Sequence, residues 1–124
     1  MTAARRSLGA RGEELACRHL SAHGYSIIER NARTRHGELD IVAQYEGTLV
    51  FVEVKTARAE AAAGPEHPVH AVGNRKRRRL RLLARAWMAD RRPGATDARI
   101  DVIGVTLPAG GRGEPAIEHL ESAV

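Results

Sequence analysis

Two carboxylates and a lysine stand close together in the stretch GELDIVAQYEGTLVFVEVK, Gly37 to Lys55: Asp40, then Glu53 and Lys55. Carboxylate oxygens hold hard divalent cations, magnesium above all, with manganese as a substitute. Such a cation acidifies a bound water and neutralises charge on a phosphate attacked in line. A neighbouring ammonium orients the water or stabilises the pentacovalent phosphate. The three residues therefore read as equipment for phosphodiester hydrolysis, with Asp40 and Glu53 as metal ligands and Lys55 as the water-positioning or transition-state group.

The elements that must position them follow from period-two alternation. In Glu38–Ala43, Leu39, Ile41 and Ala43 share one face of a strand and Glu38, Asp40 and Val42 the other. Polar Gln44–Thr48 contains a glycine and reads as the turn of a hairpin. In the returning strand Val50, Val52 and Val54 share one face, and Leu49, Phe51, Glu53 and Lys55 the other. The apolar run Leu49–Val52 suits a strand covered on both sides, which would not end in two charges unless they were needed there. Glu38 is either a further ligand or a strand-edge charge, and ranks below Asp40.

At these residues the chain resembles a known family. Asp40 followed by Glu53-Val54-Lys55 is similar to the Asp…(Asp/Glu)-x-Lys signature of the restriction-endonuclease-like superfamily. The wider pattern resembles the YraN family of small uncharacterised bacterial proteins, themselves similar to archaeal Holliday junction resolvases. The likeness covers Gly9–Leu20, Gly24-Tyr25, Arg35–Ala43, Phe51–Thr56, Lys76–Ala86, Arg99–Val105 and Ile117–Ala123. Leu39 stands where the superfamily often has proline. The resemblance implies an α/β fold, a restriction-endonuclease-like mixed β-sheet flanked by α-helices. It also implies that Glu13, from the first helix, joins the metal site as a ligand and catalytic residue, with Glu14 as a weaker substitute. Apart from the resemblance, Glu13 and Glu14 are ordinary first-turn charges complementing the helix dipole.

The remaining elements are legible from pattern. Leu8, Leu15, Ala16 and Leu20 mark a helix from Gly9 to His23, ended by Gly24, with residues 1–8 loose before it. Tyr25–Arg30 is a strand. Asn74, as N-cap, opens a helix to about Asp90 in which Leu80, Leu83, Ala84, Trp87 and Met88 form the buried stripe. Residues 57–73 form a mobile connection, in which the prolines argue against a metal pair of His67 and His70. Arg99–Val105 is a further strand, with Ile100 and Val102 on one face and Asp101, Ile103 and Val105 on the other. Asp101 is expected to pair with a nearby arginine. Ile117–Leu120 is a short strand or loop.

Charge points to a polyanionic partner. Twenty basic residues stand against fifteen acidic ones, for a net charge of +5, and the isoelectric point is near 10.3. Arg33 and Arg35 precede the acidic strand and are placed to hold phosphates against the metal site. Arg75–Arg79, Arg81 and Arg85 cover the polar side of the second helix in a run of one sign. Its first five residues oppose the helix dipole, a cost without structural return. Phosphate binding explains the run, through Lys76, Arg77, Arg78 and Arg81. Only two of the twenty basic residues, Lys55 and Lys76, are lysines.

A chain of 124 residues is expected to form one domain, 1–124. The single cysteine, Cys17, permits no internal disulfide. No apolar run approaches the roughly 18 residues of a membrane span, and MTAARRSLGARGEEL has no hydrophobic region of signal-peptide type. A soluble cytoplasmic protein with no membrane association is expected. Two functions of different class remain: a magnesium-dependent endonuclease of branched or otherwise structured DNA, and a catalytically silent nucleic-acid-binding module acting with a protein partner in repair or processing. The resolvases that the chain resembles are dimeric, so a homodimer is expected of the first.

Overall fold

The computed structural model describes residues 2–59, 72–94 and 97–124. Its elements are α1 (Ala3–Ala22), β1 (Ser26–Thr34), β2 (Gly37–Tyr45), β3 (Thr48–Arg58), α2 (Asn74–Arg91), β4 (Asp97–Leu107), a 3-10 turn at Ala109–Gly111, and β5 (Ala116–Leu120). The five strands lie side by side in chain order. All neighbours are antiparallel except β3 and β4, which run parallel and so need the crossover that carries α2. The fold is thus α/β, a mixed sheet with a helix against each face, as the resemblance implied.

Alternation sorts the core into two sides. Leu49, Phe51, Ile100 and Val102 meet α2 through Leu80, Leu83, Ala84 and Trp87. Ile41, Ala43, Val50, Val52, Ile103 and Val105 meet α1 through Ala16, Cys17 and Leu20. Trp87 is buried in the core, edge-on to Phe51, and its indole N–H donates to Glu29 of β1 at 2.9 Å. Burying an aromatic of this size with its one donor satisfied anchors α2 to the sheet.

Several boundaries differ from the sequence reading. Residues 3–8 belong to α1: Thr2 caps the helix by accepting from the Arg5 N–H at 3.2 Å, so the basic start is helical rather than loose. Asn74 is the first residue of α2 rather than its cap; Gly73 is the cap and supplies no side-chain acceptor. Ala57 and Arg58 continue β3, and most of the expected mobile connection, with His67 and His70, lies outside the described residues. The β2–β3 turn is tighter than Gln44–Thr48. Tyr45 pairs with Thr48, and Glu46 and Gly47 carry the positive φ values, 49° and 82°, of a two-residue hairpin turn.

Leu39 breaks the alternation. It packs on the α2 side with Ala32 and Val42, not with Ile41 and Ala43 against α1. The reason lies in the pairing: β2 stays bonded to β1 through Leu39, Glu38 and Gly37, but its ladder with β3 ends at Ile41↔Val52. Below that point β2 is held from one side and turns away from β3.

Candidate metal and nucleic-acid site

The fork between β2 and β3 is where the chemistry-bearing residues meet. Asp40 and Glu53 are the first residues past the last β2–β3 pair. An Asp40 carboxylate oxygen accepts the Val54 N–H at 2.9 Å, in place of the backbone bond that the ladder has lost. Asp40 is thereby pinned with its carboxyl beside that of Glu53. Burial, then a hydrogen bond and repulsion from Glu53, push its pKa up to about 8; the Val54 N–H works the other way and Glu13 adds to the rise. Two acids this close do not both ionise readily without a cation between them. That is the chemistry of a donor pair suited to a hard divalent ion.

Glu53 is buried, 8% exposed, and its partner is not its strand neighbour Lys55. The Lys76 Nζ of α2 lies 3.1 Å from Glu53 Oε2. The sequence reading placed Lys76 among outward-facing phosphate contacts, whereas the crossover lays the first turn of α2 over β3 and turns this residue onto the carboxylate pair. Lys55 lies on the same strand, opposite Gly104 of β4 and half-buried.

Glu13 reaches the neighbourhood from α1. Burial is the largest influence on it and raises its pKa; Arg30 opposes this, and Glu38 and Glu53 reinforce it. Glu13 therefore senses the acidic fork electrostatically. As the side chains stand, no group of three or more His, Cys, Asp or Glu among the described residues is set to hold a metal ion. Glu14 faces elsewhere, bonded to Arg18 at 3.2 Å and Arg30 at 3.1 Å. The helix comes this close because Gly12 is buried against β3: a Cβ there would collide with the Thr56 side chain. Gly12 was not singled out from sequence, since a helical glycine signals nothing until its neighbour is known.

The expected phosphate contacts divide. Arg33 pairs with Glu38 across the β1–β2 ladder at 3.1 Å, with both side chains largely exposed. Arg35 occupies the tight β1–β2 turn and, with His36, Leu82 and Arg85, lines a cleft of about 430 Å³. Arg77 donates to the Val72 carbonyl at 3.3 Å, and Arg78 is exposed. Arg81 lines a separate cleft of about 340 Å³ between α2 and β4, with Phe51, Ile100 and Val124. Arg79, part of the basic run but not among the phosphate contacts singled out in it, lies against Gly37 at the start of β2, where a Cβ would meet its guanidinium. On the α1 side Arg5, Arg6 and Arg30 line a cleft of about 290 Å³ that contains Glu13. Arg5 and Arg6 were hidden by the reading of residues 1–8 as loose.

The chain is thus an α/β protein whose central sheet forks around a carboxylate pair, Glu53 buried and Asp40 half-buried, flanked by cations. Its family is narrower still. The model of the uncharacterised protein family UPF0102 matches residues 12–105, and this chain belongs to that family, which is the YraN family. UPF0102 proteins of Clavibacter michiganensis and Streptomyces griseus are 47% and 50% identical to it, with 94% of this chain and 94% of each relative covered. One from Mycobacterium tuberculosis is 45% identical over 97% of this chain and 94% of its own. Among solved structures, Pyrococcus furiosus SfsA in complex with Ca2+ is similar at a TM-score of 0.40 and 18% identity, covering 94% of this chain and 63% of that one. No described helix is long and apolar enough to cross a membrane.

Proposed function

We propose that the protein is a divalent-metal-dependent endonuclease acting on DNA, with a branched or otherwise structured substrate. The observation that carries the reading is the Asp40–Glu53 pair, held together at the β2–β3 fork with Asp40 pushed up to about 8. A half-buried acid kept this far from its ordinary range is maintained against a stability cost, and such groups cluster at functional sites. Magnesium, or manganese in its place, would be held by Asp40 and Glu53, with Glu13 approaching from α1, and would supply an acidified water and charge neutralisation. Asp40 stays fixed by the Val54 N–H, so its free oxygen keeps one orientation. Lys55 orients the water or steadies the phosphate. Arg5, Arg6 and Arg30 on one side of the fork, and Arg35, Arg78 and Arg79 on the other, attract the polyanion. A cytoplasmic homodimer accords with a substrate of two-fold symmetry.

One observation favours the binding-module reading. Glu53 already has a cation of the protein's own, Lys76, at 3.1 Å. In that reading the fork is a neutralised structural joint and the arginines alone act.

The deciding experiment is cleavage of duplex, single-stranded, flapped and four-way-junction DNA and structured RNA, in magnesium, manganese and chelator, by wild type, Asp40→Asn and Lys55→Ala. Metal-dependent cutting of one substrate, lost in both variants while binding persists, is expected. Salt-sensitive binding without cutting in either metal would transfer the assignment to the binding module.

A further inference from the structure

Lys76 is the one residue of the basic helix whose charge is directed into the acidic fork. It sits in the first turn of α2 among Arg75, Arg77, Arg78 and Arg79, yet its ammonium lies on Glu53 Oε2 at 3.1 Å. The side chain remains 38% exposed and the Glu53 carboxylate 9%. The ion pair therefore has one buried end and one end at the surface. A buried carboxylate holds a cation in its low-dielectric surroundings, whereas a half-exposed ammonium can exchange one anion for another without being desolvated anew.

We propose that Lys76 is a positioning residue that couples cation binding at Asp40 and Glu53 to polynucleotide binding by α2. This rests on the metal-dependent reading given above. A divalent cation taking Glu53 competes with the ammonium for the same oxygen. Once displaced, the ammonium remains at the lip of the fork, beside the arginines of the helix start and next to the place where the scissile phosphate must lie. Metal binding thus adds one phosphate contact to α2, and by linkage a bound phosphate backbone strengthens metal binding by the same factor. A lysine suits this part better than an arginine: its compact, flexible point charge moves between a carboxylate and a phosphate, whereas a planar fork would favour lasting bidentate pairing.

The test uses the full chain as wild type, Lys76→Met, Glu53→Gln and the double variant, each checked for a native near-ultraviolet circular dichroism spectrum. Lys76→Gln replaces Lys76→Met if the latter is not native. Mn2+ binding is measured by electron paramagnetic resonance with the metal alone. Binding of a labelled four-way-junction DNA is measured by fluorescence anisotropy at constant ionic strength, in Ca2+ and in chelator. Removing the competing ammonium is expected to tighten Mn2+ binding about three- to tenfold, the usual scale of a partly exposed charge coupling. The same variant is expected to lose most of the enhancement that Ca2+ gives to DNA binding in wild type. In the Glu53→Gln background the lysine substitution should leave Mn2+ binding unchanged. A merely structural lysine would not move the two affinities in opposite directions. Unchanged or weaker Mn2+ binding in Lys76→Met, or full retention of the Ca2+ enhancement, would overturn the coupling while leaving a metal-binding wild type intact. If neither wild type nor Lys76→Met binds Mn2+, the metal reading and the coupling fall together. If only the variant binds it, the competition stands and the wild-type nuclease reading falls.

Discussion

Asp40 and Asp101 lie in the same sheet, on β2 and β4, the first half-buried and the second fully buried, yet their surroundings drive them in opposite directions. At Asp101, which is 0% exposed, burial alone would raise the pKa. His119 at 2.8 Å, Arg99 at 3.0 and 3.3 Å, and the Ser122 N–H at 2.9 Å more than reverse that, so the group is held below its ordinary range. The Arg99 guanidinium continues to the Tyr25 hydroxyl at 2.7 Å, and His119 meets His19 of α1 at 3.3 Å. At Asp40 a backbone N–H donates, and a neighbouring side chain is another acid, Glu53. A buried charge surrounded by its complements joins elements together; half-buried Asp40 lies beside an acid whose own cation, Lys76, is on Glu53. On the proposed reading, the two aspartates separate architecture from function within one sheet.

Removing each carboxylate in turn should change stability in opposite directions. Asp101→Ala should cost about 3–5 kcal/mol, because Arg99 and His119 lose the anion that they share. Urea unfolding at pH 7 measures this, and a loss under about 1 kcal/mol would mean that the network is not the joint described. Asp40→Asn should act in the opposite sense. Its folded-state pKa of about 8 lies above the ordinary 3.8, so the proton stabilises the fold fully below about pH 4. That contribution is lost as pH rises toward 8. In chelator at pH 8 the Asn variant should therefore be more stable than wild type, and the gap should close near pH 4. Equal stability of the two proteins at pH 8 would remove the frustrated pair from the argument.

Smaller effects sharpen the contrast. Gly12→Ala inserts a methyl where Thr56 stands, so α1 must move away from β3 and carry Glu13 with it. Thermal unfolding should show a loss of roughly 1–2 kcal/mol, and Gly9→Ala, with open space at its Cβ, should show none. His19 is held below its ordinary range by burial first, then by His23 and His119. Its contribution to stability is thus complete above about pH 6.5 and fades as the ring is forced to take a proton at lower pH. His19→Gln should flatten the decline in stability between pH 7 and pH 5.5, read from denaturant midpoints. An unchanged slope would exclude His19 from the Asp101 joint.

Much of this was legible because local pattern and final environment agree. The faces of β3 and β4, the buried stripe of α2 with Trp87 in it, and the arginine partner of Asp101 all follow from alternation or helical spacing. The two acids were legible from their residue types and the resemblance, but not their register, which the Glu46-Gly47 turn sets. What escaped depends on contacts between elements distant in sequence. Lys76 looks like its arginine neighbours until the parallel crossover lays α2 over β3. Gly12 acquires meaning only from Thr56. Leu39 follows the alternation of its strand until the loss of the β3 ladder releases it, and the helical start at Ala3 is obscured by arginines that carry no apolar period.

The chain-order sheet has a consequence in time. β1, β2 and β3 form a meander closed by two-residue turns, and hairpins of that kind form in about 1–10 μs. The β3–β4 pairing must wait for α2 and its connection to close a much longer loop. The two acids are therefore brought face to face early in folding, before Lys76 can arrive. The nascent meander should carry its strongest internal repulsion at the fork, and a divalent cation present during refolding should speed the step that brings β2 and β3 together.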